Sequence, residues 1–267
     1  MTTRRRRGQP RLPVLLGVLA TAGMALFLLP ILGLFSRAPW TRLPTLLGSD
    51  IVTDAIRLST FTSLAATALS FAVGVPLAWV LARVDFLGHS LVRGMVALPL
   101  ILPPVVGGAA LLFAFGRRGL VGAPLEQATG LLLPFSAWGV VVANTFVAMP
   151  FLVITVEGAL RAMDRRYEEA AASLGAGRWT VLRRVTLPTI TPSLVAGLVL
   201  CWARAFGEFG ATITFAGNLQ GRTQTLPLAV FVALDRDRDT AVAISLVMVL
   251  ISLLVLVSLR ERWRGTL

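Results

Sequence analysis

The chain has 267 residues, of which 56% belong to the hydrophobic set and only 14% are charged, and its mean hydropathy is +0.80. An ordinary soluble domain carries roughly a quarter charged residues, so one long water-soluble domain is excluded, and so is a disordered chain. The net charge of +12 is carried by arginine alone, because all 25 basic residues are arginine and no lysine occurs, which rules out a Walker A phosphate loop, a Schiff-base lysine and a lysine general base.

In chain order, an arginine-rich head (residues 1–11, with Arg4 to Arg7 and Arg11) precedes a region, 12–259, dominated by six uncharged runs. The runs cover residues 12–36, 58–82, 94–116, 127–156, 185–203 and 240–259, and a short basic tail follows at 260–267. Each run reaches or exceeds the roughly 18 to 20 residues a helix needs to cross a ~30 Å hydrocarbon layer. Backbone groups in that layer must bond to one another, which leaves helices as the solution for runs this long. An all-α membrane protein with about six transmembrane helices is therefore expected. The first run could be a secretory signal, with Ala20-Thr21-Ala22 as a small-residue cleavage site. Its apolar stretch continues to Phe35, well past a signal core, and so favours an uncleaved anchor.

Orientation follows arginine placement. With the N-terminus inside, sixteen arginines fall on cytoplasmic segments and eight on outer ones, and both termini are cytoplasmic. Topology explains much of the basic charge, so a nucleic-acid partner is not required; membrane lipid is the expected surroundings.

The proline-rich part of the third run, Pro99, Pro103 and Pro104 followed by Gly107 and Gly108, predicts a kink, since proline removes an amide donor and bends a helix. Such a kink could be a hinge or plain packing geometry. The longest inner connection, about 157–192, is too polar for lipid. Asp164 is placed to cap a short helix up to Leu174, with Glu168 and Glu169 early in it and Gly175 ending it in the left-handed conformation. Tyr167, Ala170, Ala171 and Leu174 share one smooth face. That face suits a groove on a partner, or alternatively a bed of lipid headgroups.

Glu169-Ala170-Ala171, then Gly175, then nine residues to Val185-Thr186-Leu187-Pro188 resembles the EAA loop of ATP-binding-cassette importer permeases. The resemblance implies the type I ABC importer permease fold, with a coupling helix (Tyr167, Glu168, Glu169, Ala170, Ala171, Leu174 and Gly175) that inserts into a separate ATPase subunit. A chain without a Walker A lysine agrees with a motor supplied from elsewhere.

The fifth run continues into Cys201-Trp202-Ala203-Arg204-Ala205-Phe206-Gly207-Glu208-Phe209-Gly210-Ala211-Thr212-Ile213-Thr214-Phe215 and Asn218. Arg204 lies about 18 Å along the helix past Pro192, near mid-bilayer, where ionised groups usually face a bundle interior or a water path. Arg204 and Glu208, four apart, are either a mutually neutralising structural pair or an attractor or gate for a passing anion. Thr212, Thr214 and Asn218 could replace water around an oxyanion, although threonines in such helices often bond their own backbone. A partial extra segment between Phe209 and Phe231 is also compatible with the pattern.

This stretch, with Gln224-Thr225-Leu226-Pro227-Leu228, Leu102-Pro103-Pro104-Val105-Val106 and Phe115-Gly116-Arg117-Arg118-Gly119, resembles the molybdate permease subfamily over about residues 54–257. The resemblance implies carriage of molybdate or tungstate across a bacterial or archaeal cytoplasmic membrane, with no resident cofactor or metal and no enzyme activity in this subunit. It also implies a homodimer around one path, two copies of the ATPase, and an extracytoplasmic molybdate-binding protein. Sulfate or thiosulfate permeases share the Ala203 to Ala211 core and are the nearest alternative. An ion-coupled secondary anion transporter would need more ionisable groups within the spans than Arg204 and Glu208. A membrane enzyme finds little support, with His89 and Cys201 the sole histidine and cysteine. The alternating Asp235 to Asp239 run is expected to be a solvated outer turn, open to contact with the binding protein.

Overall fold

A computed structural model describes residues 14–263. The arginine-rich head, residues 12–13 of the first run and residues 264–267 of the tail lie outside them. In chain order the helices are α1 (Val14–Ser36), α2 (Leu43–Leu47), α3 (Asp50–Arg83), α4 (His89–Ile101), α5 (Pro104–Phe115), α6 (Gly122–Thr129) and α7 (Ala137–Ala162). There follow α8 (Arg166–Ser173), α9 (Arg178–Val181), a π-helical turn (Leu182–Thr186), α10 (Leu187–Phe206), α11 (Gly210–Phe215), α12 (Leu226–Arg236) and α13 (Arg238–Trp263).

Among the described residues five helices are long and apolar enough to cross a membrane, against the six expected. The difference lies in the third run, which forms α4 and α5 rather than one bent helix. Leu102 and Pro103 both precede a proline and both take extended ψ values, 132° and 131°. Two successive prolines supply no amide donors, so the chain leaves the helix at Leu102 and restarts with Pro104 at its first position. The isolated Pro30, Pro76, Pro99, Pro150 and Pro192 are each carried inside a helix. The fourth run also begins later than its composition implies. Gly130 closes α6, and α7 starts only after Ser136, whose Oγ accepts from the Gly139 amide at 3.1 Å.

The centre of the molecule is the mutual packing of α3, α7 and α10, where Ala66, Ala78, Ala148, Leu152, Val156 and Ala205 are buried together. Small residues let these backbones approach, as at Gly74, where a methyl group would lie 3.1 Å from Met149 Cγ. A second seam joins α5 and α7 to α11 through Leu111, Ala143, Val147, Ala211 and Phe215. A third joins α3 to α12 and α13 through Val52, Ala55, Leu226, Ala229 and Ile244. Helix α1 lies outside these seams and has no buried residue.

The Asp235 to Asp239 stretch is a mostly exposed junction between α12 and α13. Asp237 Oδ2 accepts from Thr240 Oγ1 at 2.6 Å and Oδ1 from the Asp239 amide at 3.1 Å, which caps α13, while Asp239 pairs with Arg42 at 2.7 Å. The Thr240 hydroxyl is the main cause that holds the Asp237 carboxyl below its ordinary value. A carboxylate lowered in the folded state stabilises above the unfolded value and loses that contribution as pH falls through its folded value. Asp237→Asn should thus lower the thermal midpoint at neutral pH and match the parent in acid; a difference independent of pH would refute the cap.

The α5–α11 crossing is the tightest of these contacts. A Cβ on Gly108 would lie 2.7 Å from Thr214 Cβ and 2.8 Å from the Ala211 carbonyl oxygen. Gly108→Leu is expected to cost about 1–3 kcal/mol by forcing the two helices apart, visible as a fall in the melting midpoint of the solubilised protein.

Candidate functional site

Two places gather the residues singled out by the sequence. The first is the loop between α7 and α10. Asp164 Oδ1 accepts from the Arg166 amide at 3.0 Å at the start of α8. Gly175, at φ +85°, closes the helix. Its amide bonds to the Ala172 carbonyl at 2.9 Å and that of Ala176 to the Ala171 carbonyl at 3.1 Å, the paired closure that a left-handed residue makes possible. Tyr167 and Leu174 point outward, 64% and 88% exposed, and Ala170 and Glu169 are exposed while Ala171 is half-buried.

Glu168 faces the other way. Thr186 Oγ1, in the π-helical turn, donates to its Oε1 at 2.7 Å, and Arg83 Nη2, at the end of α3, lies 3.2 Å from its Oε2. One carboxylate thus ties α8 both to the entry of α10 and to α3. Helical periodicity places Glu168 next to the outward face of Tyr167 and Ala170 but cannot reveal partners distant in sequence. Behind this tie, buried Glu157 accepts from Arg161 Nε at 2.8 Å and pairs with Arg93 at 3.2 Å. Arg161 Nη2 and His89 Nε2 both reach the Leu81 carbonyl at 2.8 Å. These contacts brace α3, α4 and α7 at the end from which α8 emerges.

The second place is the end of α10. The helix stops at Phe206, and α11 begins at Gly210, so the fifth run does not continue as one helix to Asn218. Glu208 sits in that gap, 1% exposed. Its Oε2 lies 2.6 Å from Arg204 Nη1, and its Oε1 accepts from the Ala211 amide at 2.8 Å. The carboxylate therefore does two jobs, balancing the guanidinium and satisfying an amide freed by the break. Arg204 is 29% exposed, so part of its guanidinium remains accessible.

Thr212 Oγ1 is buried 3.4 Å from Asn144 Oδ1 of α7. Thr214 bonds its own backbone at the Gly210 carbonyl, 2.8 Å away, which leaves the hydroxyl committed as a donor. Asn218 lies beyond α11, with a buried Oδ1 that has no hydrogen-bond partner. Arg204 and Glu208 therefore pair at one helix break, while Thr212 and Thr214 in α11 and Asn218 beyond it share no direct bond with that pair. Asn144, a lone amide in an otherwise apolar stretch, was detectable from composition as a polar group needing a partner. The Gln224 to Leu228 segment folds as the entry to α12, where the Leu226 amide donates to Ser59 Oγ of α3 at 2.7 Å.

A family model described as binding-protein-dependent transport system inner membrane component matches residues 74–261. The molybdenum transport system permease protein ModB of Mycobacterium tuberculosis is 48% identical over 213 residues, 80% of each chain. That of Escherichia coli K12 is 42% identical over 188 residues, 69% of this chain and 82% of its own. The sulfate transport system permease protein CysW of Synechococcus elongatus is 39% identical over 184 residues, 69% of this chain and 64% of its own. In fold, the chain resembles a chain of a bacterial ABC transporter involved in the import of alginate, with a TM-score of 0.76 at 20% identity, covering 94% of this chain and 95% of that one. With the match over most of its length and the α8 loop in place between α7 and α10, the chain belongs to the inner membrane components of binding-protein-dependent transport systems, multi-pass permeases of the type I ABC importer fold.

Proposed function

We propose that this chain is the permease of an ATP-driven importer of molybdate or tungstate, acting as a homodimer with two ATPase subunits and an extracytoplasmic oxyanion-binding protein. The observation that carries the coupling part is α8, a short helix sharply closed at Gly175 with an outward face of Tyr167, Ala170 and Leu174, hung between two spanning helices. The substrate part is supported by identity, 48% and 42% to molybdenum permeases against 39% over a smaller share of a sulfate permease. Arginine asymmetry supports cytoplasmic termini and a cytoplasmic α8.

In this mechanism, closure of the ATPase dimer displaces α8. Glu168 passes the displacement to Thr186 at the root of α10 and to Arg83 at the end of α3, biasing the permease between inward- and outward-open states. At the far end of α10, Arg204 offers an oxyanion a fixed positive charge, held in place by Glu208.

Gly175→Val puts a β-branched side chain at φ +85°, a cost of roughly 1–2 kcal/mol or more. Uptake in reconstituted vesicles should fall about tenfold while ATP hydrolysis by the assembled complex continues; normal coupled uptake would refute the lever. Arg204→Gln alone strands a buried carboxylate and should lower stability by about 3 kcal/mol. Combining it with Glu208→Gln keeps an acceptor for the Ala211 amide and should restore most of that stability, yet leave uptake lost. Restored uptake in the double variant would reduce the pair to a structural role. Radiolabelled molybdate uptake with ATPase and binding protein, competed by sulfate, tests the substrate; sulfate winning the competition would reassign it.

A further inference from the structure

Three cavities meet at Trp179. The largest, about 670 Å³, lies between the end of α3 and the α8–α9 segment. Another, about 460 Å³, follows α3 from Trp79 back to Phe71 between almost wholly apolar walls. The two share Trp79, Trp179, Leu182 and Thr186, so they form one groove that is polar at one end and greasy along its length. On the other side of Trp179 a smaller cavity of about 270 Å³ is lined by Arg183 and Arg184.

Arg83 sets the chemistry of the polar end. Its side chain is only 8% exposed, and its Nε and Nη2 have no hydrogen-bond partner, although Nη2 lies 3.2 Å from Glu168. Glu168 Oε2 offsets its charge without accepting a hydrogen bond, so Arg83 lines the polar end of the groove with buried donors unused, which is costly. Glu168 and Glu169 in the walls are opposed by Arg83 and Arg178 there and by Arg183 and Arg184 alongside. A ligand that satisfies both ends is an anion with an attached hydrocarbon chain, and Trp79 and Trp179, which line the groove, are the residue type that favours the boundary between hydrocarbon and headgroup.

We propose that this groove binds an anionic phospholipid of the inner leaflet, its phosphate at Arg83 and Arg178 and an acyl chain along α3 between Trp79 and Phe71. A free phosphate would leave the apolar length empty. The bound headgroup rests against α8, which places lipid beside the loop that couples to the ATPase. The assignment rests on the orientation proposed above, with the Arg83 end of α3 cytoplasmic.

The test uses the complete importer complex in nanodiscs of phosphatidylcholine containing a minor fraction of either brominated phosphatidylglycerol or brominated phosphatidylcholine. Bromine quenches nearby tryptophan emission. The anionic lipid should quench more strongly, with an apparent preference on the order of tenfold for two arginines at a charged lipid surface. Trp179→Phe should remove most of the difference, and Arg178→Gln should shrink it several-fold with the complex still assembled. Equal quenching by the two lipids overturns the proposal, as does an undiminished difference in Trp179→Phe or relief of quenching by excess inorganic phosphate. A Trp179→Cys variant that forms a disulfide to a second permease copy also overturns it, because protein then covers the groove. Labelling of that cysteine only from outside the cell would instead refute the orientation, a failure distinct from the loss of lipid preference.

Discussion

Hydrocarbon tails are as apolar as leucine, so nothing akin to the hydrophobic effect draws one spanning helix to another. What holds α3, α7 and α10 together is close backbone approach, made possible where Ala66, Gly74, Ala78 and Ala148 leave room for larger neighbours such as Met149 and Leu152. Several other elements are anchored to this seam. Helices α4 and α8 are fixed to its end by Glu157 and Glu168, and α12 is fixed to its side by Ser59. The ionic contacts set orientation more than they supply cohesion, since a buried ion pair recovers little beyond its own desolvation.

The chain breaks its helices in two ways. Between α4 and α5, consecutive prolines lack the donors that a continuing helix would use, so the break leaves little unsatisfied. Between α10 and α11, no proline intervenes, and Glu208 must satisfy the Ala211 amide while it neutralises Arg204. A break that depends on a charged side chain responds to anything that competes for that charge. Under the proposed mechanism, that difference makes the second junction, and not the first, the place where a passing anion would act.

Much of this architecture is legible in the sequence. Five of the runs predict spanning helices correctly because uninterrupted apolar length is a local property, and Gly175 is predictable because only glycine takes its backbone angle without strain. The α4–α5 division was signalled by Pro103 and Pro104 but understated as a kink, since one proline can be carried in a helix and two in succession here are not. The end of α10 was not legible, because Arg204 and Glu208 at four-residue spacing look the same on an intact helix as across its terminus. Nor was the inward turn of Glu168, whose partners Arg83 and Thr186 are brought near only by the packing of α3 against α10.

A methyl group built on Gly175 would meet nothing within 4 Å. The position is roomy, so volume is not what reserves it for glycine; handedness is. A D-alanine installed there by chemical synthesis would favour the same positive φ and close α8 more firmly than glycine does, whereas L-alanine of identical size would loosen it. The site therefore distinguishes mirror images of one side chain, and the closure of α8 is adjustable through chirality alone.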